Sequence, residues 1–471
     1  MRLSDLSGID SEAVVTGFAI DHRKIFKGNV FGAFRGERFD GESFIPQAVA
    51  LGAVAVVARP QATVAGADHI VDAEPRRRFA SLAGKYYGPY PQVIVAVTGT
   101  NGKTSTVEMA RQMWRMAGHR SASIGTLGVT TADDQVKTGL TTPDIVTFLS
   151  NMAGLERMGI SHVAYEASSH GLDQFRSEGL PVQVAAFTNF SRDHLDYHPD
   201  MDSYFAAKMR LFDEVVADDG TAVVWTGDAK SEAVIEHARA RGLTLITVGP
   251  GAETIALVDQ VPTPLGQRLV LRYHGEDYQL TLPLIGAYQA NNVLTAAGLL
   301  LATGAKWDET LAAMGRVSPV RGRLERAVIS RAGAPVYVDY AHTPDALEAA
   351  IAALKPHVKG KLITVFGAGG DRDTGKRAPM GAVAARMSDV AIVTDDNPRT
   401  EDPAKIRAEV MQGAIGATEI GDRRAAIAKA IKLAGPGDIV LVAGKGHETG
   451  QVIGDRILPF DDALVARECA A

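Results

Sequence analysis

Apolar strands alternate with helical stretches along most of the chain, and this alternation limits the fold more than any other feature. The middle of the sequence has almost uninterrupted apolar runs at residues 93–97, 184–187 and 221–225. Runs of this length that are separated by helices are typical of parallel strands buried on both faces. Because helices must then cover both faces of the sheet, the sequence predicts an α/β fold.

The same alternation returns in the last third of the chain. Strands are predicted at residues 335–340, 362–366, 390–394 and 438–442, with helices between them. This pattern is typical of a doubly wound, Rossmann-like α/β domain.

Two shorter patterns complete the secondary-structure prediction. The first 88 residues have short strands and one predicted helix, at residues 45–51. Farther along, residues 267–273 and 278–282 flank His274-Gly275-Glu276-Asp277, which predicts an antiparallel hairpin.

Two clusters of helix- and strand-breaking residues predict domain joints, at 88–91 and 316–322. A chain of 471 residues suits three domains. The predicted domains are a small N-terminal α/β domain at 1–88, a central α/β domain at 89–317 and a C-terminal Rossmann-like domain at 318–471. All three lengths fall in the usual range for domains.

The composition excludes several classes of protein. The chain has 49 Lys and Arg against 55 Asp and Glu, a net charge of −6, which argues against a nucleic-acid binder. The single cysteine, Cys469, excludes an intrachain disulfide and a cysteine-based zinc cluster. The sequence has no secretory signal pattern, and its longest apolar run, at 48–58, is too short to span a membrane. We therefore expect a cytoplasmic protein.

A glycine-rich loop follows the first buried strand of the central segment. It reads Gly99-Thr100-Asn101-Gly102-Lys103-Thr104-Ser105 and leads into a helix predicted to end near residue 117. Backbone N–H groups and the helix dipole make such a turn a phosphate site. Lys103 suits the β- and γ-phosphates of a nucleotide, and the Thr104 hydroxyl suits Mg²⁺. A tight turn with a chance lysine is the alternative.

Polar residues cluster where two further strands end. Glu166 follows one strand and His194 the next, at the sheet edge where ligands usually bind. They are candidate ligands for a divalent ion, although Mg²⁺ prefers oxygen and such loop residues are often solvated. Lys208, on the predicted helix at 204–212, points either to solvent or into this site, and the sequence alone favours solvent.

The order of the motifs resembles the Mur ligase family over nearly the whole chain. The loop spacing is part of this likeness, since the commoner phosphate loop would have its first glycine where this chain has Val97. The matching strings stand at residues 99–105, 141–143, 166–176, 189–198, 206–212, 339–344, 370–373, 396–399 and 444–448.

The resemblance implies an ATP-dependent ligase of peptidoglycan precursor synthesis. Such an enzyme adds meso-diaminopimelate to UDP-N-acetylmuramoyl-L-alanyl-D-glutamate through an acyl phosphate and releases ADP. It also implies one domain for UDP, a central P-loop domain for ATP and a third for the amino acid. The implied cofactors are ATP and Mg²⁺, and the implied assembly is a monomer whose third domain closes by a hinge near Ser318.

The resemblance also assigns site residues. The implied catalytic residues are Lys103, Glu166, His194 and a carbamylated Lys208. The implied metal ligands are Thr104, Glu166, His194 and Lys208. The implied ATP contacts are Gly99, Thr100, Asn101, Gly102, Lys103, Thr104, Ser105, Asn292, Arg323 and Asp339. The implied contacts to the UDP-muramoyl-dipeptide are Ile20, His22, Thr141, Thr142, Ser168, Gln174 and Arg176. The implied diaminopimelate contacts are Arg372, Asp396, Asn397, Pro398, Arg399, Gly444 and Glu448.

One of these positions departs from the family, and another has a second interpretation. The family more often has Ser where this chain has His22, and an imidazole donates a hydrogen bond with different geometry from a hydroxyl. Asn292 could instead cap the start of a helix.

Arg399 is the residue that bears on the choice of amino acid. It follows a predicted strand in Asp396-Asn397-Pro398-Arg399, and its guanidinium can bind a carboxylate with two hydrogen bonds. Diaminopimelate has one carboxylate more than lysine, and burying an unpaired arginine against the ammonium of lysine would be costly. Family members that add lysine lack this arginine, while Glu448 suits an ammonium group.

Four alternatives remain at this point. Within the superfamily they are a lysine-adding ligase and a folylpolyglutamate synthetase. From other classes they are a P-loop ATPase or small-molecule kinase, and a nucleotide-binding regulator without catalytic activity.

Overall fold

Three separate β-sheets follow one another along the chain, each in an α/β unit of its own. The structure is a computed structural model that describes residues 1–36 and 39–471. The sheets have four, eleven and six strands, and a two-stranded hairpin joins the last unit. The predicted α/β fold class is confirmed, while the residue boundaries of the three domains stay predictions.

The N-terminal unit is a parallel sheet in the order β1-β2-β3-β4. Its strands are β1 Gly17–Ala19, β2 Asn29–Gly32, β3 Ala55–Ala58 and β4 Asp68–Val71. Its helices are α1 Leu3–Ser7, α2 Ile45–Ala50 and α3 Pro75–Tyr87.

The prediction of a single helix in this unit was wrong. α2 matches the predicted one, but α3, with 13 residues, is longer. α3 begins with Pro75, whose missing N–H costs nothing at a first helical position. Its residues Phe79, Leu82 and Ala83 are fully buried, so packing against the core stabilises a helix whose charged start obscures the apolar pattern.

The central unit is a mixed sheet in the order β15-β14-β13-β12-β11-β10-β5-β9-β6-β7-β8. Its strands are β5 Val93–Thr98, β6 Ser121–Gly125, β7 Gly128–Thr130, β8 Gln135–Val136, β9 His162–Glu166, β10 Val182–Phe187, β11 Val216–Trp225, β12 Thr244–Gly249, β13 Ile255–Thr263, β14 Gly266–Tyr273 and β15 Glu276–Leu282. Its helices are α4 Lys103–Met116, α5 Ile145–Arg157, α6 Ser169–Asp173, α7 Met201–Arg210, α8 Ser231–Ala240, α9 Ala287–Ala302 and α10 Trp307–Met314.

The register of the central strands brings three loops to one edge. β5 lies between β9 and β10, and all three are parallel. Val97 of β5 pairs with Glu166 of β9, and Thr98 pairs with Phe187 of β10. The loops that follow these strands therefore meet where ligands bind in open α/β sheets.

The predicted hairpin is confirmed as β14 and β15, although its turn is shorter than predicted. Tyr273 pairs with Glu276, which leaves only His274 and Gly275 in the turn. Both have positive φ, +49° and +84°, and two such residues are what the common two-residue hairpin turn requires.

The C-terminal unit is a sheet in the order β16-β17-β21-β18-β19-β20, with helices on both faces. Its strands are β16 Glu325–Ile329, β17 Pro335–Asp339, β18 Leu362–Phe366, β19 Val390–Val393, β20 Thr418–Glu419 and β21 Ile439–Ala443, with β22 Gly450–Ile453 and β23 Arg456–Pro459 forming the hairpin. Its helices are α11 Pro344–Leu354, α12 Arg377–Met387, α13 Pro403–Met411, α14 Arg423–Leu433 and α15 Asp462–Ala470.

The four strands predicted here are all present as β17, β18, β19 and β21. Their ends differ from the predicted ones by one residue at most.

No helix within residues 1–36 and 39–471 is both long and apolar enough to cross a bilayer.

Candidate active site

A cavity of about 660 Å³ lies between the central and C-terminal units. It brings together most of the predicted site residues from both units. Those that line it are Thr100, Asn101, Gly102, Lys103, Thr104, Ser105, Thr141, Thr142, Glu166, Ser168, Arg176, His194, Lys208, Asn292, Arg323, Asp339, Arg372, Asp396, Asn397, Arg399, Gly444 and Glu448. Five predicted residues lie outside its lining, namely Ile20, His22, Gly99, Gln174 and Pro398.

The glycine-rich loop joins the buried strand β5 to helix α4. Gly99 and Gly102 have φ of +141° and +85°, which other residues rarely adopt. A Cβ at Gly99 would also lie 2.0 Å from Thr188 Oγ1, and one at Gly102 would lie 2.4 Å from Asn292 Oδ1. The loop therefore needs glycine for both backbone shape and space.

The segment after β10 holds this loop in place. Thr100 N–H donates to the Asn189 carbonyl at 2.9 Å, and Asn101 N–H donates to Asn189 Oδ1 at 2.9 Å. The Thr188 hydroxyl donates to the Asn101 carbonyl at 2.6 Å. The loop is thus fixed before any phosphate binds, which reduces the ordering cost of binding.

Two lysines meet at the carbonyl of Gly99. Lys103 Nζ and Lys208 Nζ each donate to this oxygen at 2.8 Å, and Lys103 also donates to the Thr100 carbonyl at 2.7 Å. Lys208 is 1% exposed, so the interpretation of a solvated lysine was wrong. The reason is that α7 packs against the loop through the face that carries Lys208.

Burial also changes the proton affinity of both lysines. Desolvation lowers the pKa of Lys208 well below its usual value, and the charge of Lys103 adds to this shift. Desolvation likewise lowers the pKa of Lys103, while Glu166 and Asp193 oppose it. A triphosphate at the loop would supply the negative charge that this lysine pair lacks.

Glu166, at the end of β9, is held by the turn between β6 and β7. Its Oε1 accepts the backbone N–H of Thr126 at 2.7 Å, and its Oε2 accepts the Thr126 hydroxyl at 3.1 Å. Thr126 was missed by the sequence analysis, because only the sheet order brings β6 beside β9.

A chain of hydrogen bonds extends from Glu166 to Arg176. The Thr142 hydroxyl lies 2.8 Å from the Glu166 carbonyl and 2.9 Å from the Ser168 hydroxyl. Arg176 donates to the Thr142 carbonyl at 3.2 Å and to Gln174 Oε1 at 2.6 Å. Gln174 therefore positions Arg176 from outside the cavity, and Arg176 presents a cation to it.

His194 lies at the end of the next loop, with φ of +55°. Desolvation lowers its pKa to about 3, against the opposing charge of Asp193, so its imidazole is neutral at neutral pH. A neutral imidazole is the form that binds a metal. Within the described residues no three His, Cys, Asp or Glu side chains converge on a metal position. The predicted metal ligands are Thr104, Glu166, His194 and Lys208, and two of these are of other residue types. The metal site therefore stays a prediction.

The C-terminal unit reaches the phosphate loop through Arg323. Its Nη2 donates to the Thr104 hydroxyl at 3.0 Å. Asp339 accepts the backbone N–H groups of Leu324 and Ala341 at 2.7 and 2.8 Å, and desolvation raises its pKa to about 6. Asn292 lies in the second turn of α9, which starts at Ala287, so the helix-cap interpretation was wrong.

Arg399 lies beyond the end of β19 with its guanidinium on the cavity. Its Nη1 donates to the Gly370 carbonyl at 2.6 Å, and its backbone has φ of +52°. The neighbouring Arg372 is 57% exposed and lies 3.7 Å from Asp196 of the central unit. Both arginines retain donors for a carboxylate.

Two acidic side chains, Asp396 and Glu448, lie on the same wall as Arg399. Asn397 Nδ2 donates to Glu448 Oε2 at 2.8 Å. Asp396 Oδ1 is buried and has no hydrogen-bond partner in the part of the chain that the structure describes. Pro398 lies behind the wall, with its carbonyl against Gly370. The arrangement suits a ligand that carries both an ammonium and carboxylates.

Ile20 and His22 lie in the N-terminal unit, just after β1. His22 stacks on Phe44 with ring centroids 4.3 Å apart and ring planes 6° apart. Ile20 is 36% exposed. The structure leaves both apart from the cavity, so any contribution to binding is to a part of a ligand that extends beyond it.

The fold and the cavity together define a P-loop α/β enzyme whose C-terminal unit contacts the glycine-rich loop. Family models match almost the whole chain: "Mur ligase family, catalytic domain" at residues 14–93, "Mur ligase middle domain" at 97–300 and "Mur ligase, glutamate ligase domain" at 322–446. The chain therefore belongs to the Mur ligase family.

Individual relatives support this assignment. The UDP-N-acetylmuramoyl-L-alanyl-D-glutamate–2,6-diaminopimelate ligase of Zymomonas mobilis is 58% identical, over 98% of this chain and 96% of that protein. The ligase of the same name from Caulobacter vibrioides is 47% identical over 98% and 97%. A solved structure with this name has a TM-score of 0.73 and 32% identity, and covers 100% of this chain and 98% of that one.

More distant structures share the fold alone. Folylpolyglutamate synthase of Mycobacterium tuberculosis, complexed with ADP and AMPPCP, has a TM-score of 0.64 at 20% identity. The match covers 77% of this chain and 90% of that one.

Proposed function

We propose that the protein is an ATP-dependent ligase that adds meso-diaminopimelate to UDP-N-acetylmuramoyl-L-alanyl-D-glutamate in peptidoglycan precursor synthesis. One observation carries the proposal: a single cavity has the Lys103 loop on one wall and Arg399 with Glu448 on the other. The names of relatives that are 47% and 58% identical describe an enzyme of this reaction. We further propose that the protein acts in the cytoplasm as a monomer.

Each domain receives one substrate in this proposal. The N-terminal domain, at 1–88, binds the UDP group near Ile20 and His22. The central domain, at 89–317, binds ATP, and the C-terminal domain, at 318–471, binds the amino acid. The dipeptide lies along Thr142 and Ser168 toward the carboxylate-binding Arg176.

The ATP phosphates lie on the glycine-rich loop. Lys103 approaches the β- and γ-phosphates, and backbone N–H groups at the start of α4 bind oxygens of the same groups. Arg323 already contacts Thr104 across the domain interface, at 3.0 Å, so it lies within reach of the same phosphates. Asn292 and Asp339 approach the nucleoside.

Mg²⁺ is proposed at Thr104, Glu166, His194 and a carbamylated Lys208. The donor set fits, because three of the four groups would supply oxygen, which Mg²⁺ prefers. Among residues 1–36 and 39–471, Thr126 alone donates hydrogen bonds to the Glu166 carboxylate, which therefore retains lone pairs for a cation. Bound Mg²⁺ would neutralise charge between the substrate carboxylate and the triphosphate.

The reaction takes place in two transfers. The γ-carboxylate of D-glutamate attacks the γ-phosphorus of ATP, the bond from this phosphorus to the bridging oxygen breaks, and ADP leaves. The free amine of diaminopimelate then attacks the acyl carbon, loses a proton and expels phosphate. Lys103 and the loop N–H groups stabilise the charge that gathers on the phosphoryl oxygens.

The arginines select the amino acid. Arg399 and Arg372 bind carboxylates, and Glu448 binds an ammonium group. Lysine has no distal carboxylate, so it would leave a half-buried Arg399 unpaired beside its own ammonium.

ADP release tests the proposal. With ATP and Mg²⁺ present, we expect sustained release only when the UDP-muramoyl-dipeptide and diaminopimelate are both added. Lys103→Ala should lower the rate about 100- to 1,000-fold, because it removes a donor to the transferred group. Lys429→Ala, at an exposed position of α14, is the control. Release without the other substrates would indicate an ATPase, and an unchanged Lys103→Ala rate would refute the phosphate-loop assignment.

A further inference from the structure

Lys445 is a buried lysine behind the wall that carries Glu448. Its side chain is 0% exposed, and it lies between Gly444 and Gly446 directly after β21. A fully buried ammonium is rare unless it is paired and hydrogen-bonded. The contacts of Lys445 therefore indicate what it is for.

Those contacts all go to residues of the proposed amino-acid site. Lys445 Nζ donates to Asn397 Oδ1 at 3.0 Å and to Glu448 Oε2 at 2.9 Å. Asn397 Nδ2 closes the triangle by donating to the same Glu448 oxygen at 2.8 Å. Asp396 Oδ1 lies 3.8 Å from Nζ.

The backbone around Lys445 has little freedom to move. Gly444 and Gly446 have φ of +117° and +54°. A Cβ at Gly444 would lie 2.9 Å from Asp396 Oδ2, and one at Gly446 would lie 2.7 Å from Tyr340 Cβ. The position of the Lys445 Cα is thus set by packing on both sides, and the hydrogen bonds to Asn397 and Glu448 hold its ammonium group.

Lys445 offsets part of the negative charge of this cluster. Asp396 and Glu448 are two carboxylates, and Lys445 neutralises one of them. Other cations lie close by: Lys376 interacts electrostatically with Asp396, and Arg423, which is near both carboxylates, is occupied by Asp462 through two hydrogen bonds at 2.8 and 2.6 Å. Without Lys445, Glu448 would lose the ammonium group that donates to its Oε2.

The Lys445 contacts also determine which oxygen of Glu448 is free. Oε2 accepts hydrogen bonds from both Lys445 and Asn397, and Glu448 still lines the cavity. The second oxygen, Oε1, accepts no hydrogen bond from the part of the chain that the structure describes, so it is left to accept an ammonium group. Asn397 in turn is held by Val452 N–H, which donates to its Oδ1 at 2.9 Å.

We infer that Lys445 is a positioning residue for the amino-acid substrate: it orients Glu448 and Asn397, so that the free oxygen of Glu448 faces an ammonium group. This inference rests on the proposed function, since it assumes that an amino acid binds on this wall. It concerns a residue that does not line the cavity itself.

The first test is the steady-state kinetics of Lys445→Met, which keeps most of the side-chain length and removes the charge. We expect KM for diaminopimelate to rise about 10- to 100-fold, which corresponds to losing hydrogen bonds to a charged group. KM for ATP should stay within about twofold, since the nucleotide lies on the other wall. Lys429→Met, at an exposed position of the same domain, is the matched control.

The second test separates positioning from general structural damage. Because Lys445 acts through Glu448 and Asn397, the loss caused by adding Lys445→Met to Glu448→Gln should be clearly smaller than the loss caused by Lys445→Met alone. Additive losses, equal rises in both KM values, or an unchanged KM for diaminopimelate would each overturn the inference. If Lys445→Met does not fold, Lys445→Gln, a neutral donor, is judged by the same criteria. Failure of the unmodified protein to ligate would instead reject the proposed function.

Discussion

Replacing Arg399 with alanine should weaken diaminopimelate binding without disturbing the backbone of the segment that follows β19. The backbone of residue 399 is held independently of its side chain. Its N–H donates to the Val452 carbonyl at 3.0 Å, and its carbonyl accepts Gly454 N–H at 2.6 Å. Alanine retains both backbone hydrogen bonds, so the variant removes the guanidinium together with its hydrogen bond to the Gly370 carbonyl.

The size of the effect follows from the hydrogen bonds that are lost. A hydrogen bond to a charged group contributes about 1.5–3 kcal/mol, and a guanidinium can make two to one carboxylate. Since water partly replaces them in a half-buried site, we take a loss of about 3 kcal/mol. At about 1.4 kcal/mol per tenfold change, KM for diaminopimelate should rise about 100-fold.

The assay compares diaminopimelate and lysine as substrates of Arg399→Ala and of the unmodified protein. The preference for diaminopimelate, as the ratio of kcat/KM values, should fall about 100-fold, while KM for ATP stays nearly constant. Arg386→Ala, which removes an arginine that is 64% exposed on α12, is the control. A preference that does not change, or equal rises in KM for ATP and diaminopimelate, would refute the reasoning.

Two further predictions concern buried charges. Lys208→Ala should lose ligase activity and recover part of it when a short carboxylate is added, because the carboxylate replaces the carbamate; a fully active variant would contradict the carbamate. Asp462→Ala should reduce protection of β21 amides from hydrogen exchange by about 3–5 kcal/mol, because it leaves Arg423 buried and unpaired. Glu468→Ala, which breaks the exposed pair with Arg424 between the same two helices, should cost under about 1 kcal/mol, and an equal loss in both variants would contradict the argument.

Local sequence carried enough information to predict the phosphate loop. An apolar strand, glycines, a Lys-Thr pair and a helix are contiguous, and their chemistry depends on neighbours in sequence. The structure accordingly has β5, the loop and α4 as predicted, apart from one residue at the end of β5 and one at the end of the helix.

The environment of Lys208 could not be predicted in this way. The apolar pattern of α7 is weak, so it does not determine which helix face meets the loop. Only tertiary packing brings Lys208 against the carbonyl of Gly99, over one hundred residues earlier in the sequence. The family resemblance indicated the correct face where helical periodicity did not.

Contacts between strands that are far apart in the sequence also could not be predicted. Thr126 binds Glu166 because β6 lies beside β9, and sheet order is not encoded locally. Lys445 had a weak signal, as a lysine between two glycines directly after a buried strand. That signal points to a turn, and only the structure reveals its contacts with Asn397 and Glu448.

The mass of the product tests the central claim most directly. The unmodified protein is incubated with ATP, Mg²⁺, the UDP-muramoyl-dipeptide and either meso-diaminopimelate or lysine. We predict a product whose mass equals the dipeptide substrate plus diaminopimelate less one water, with far less product from lysine. Equal or greater product from lysine, or no ligated product from either amino acid, would contradict the account.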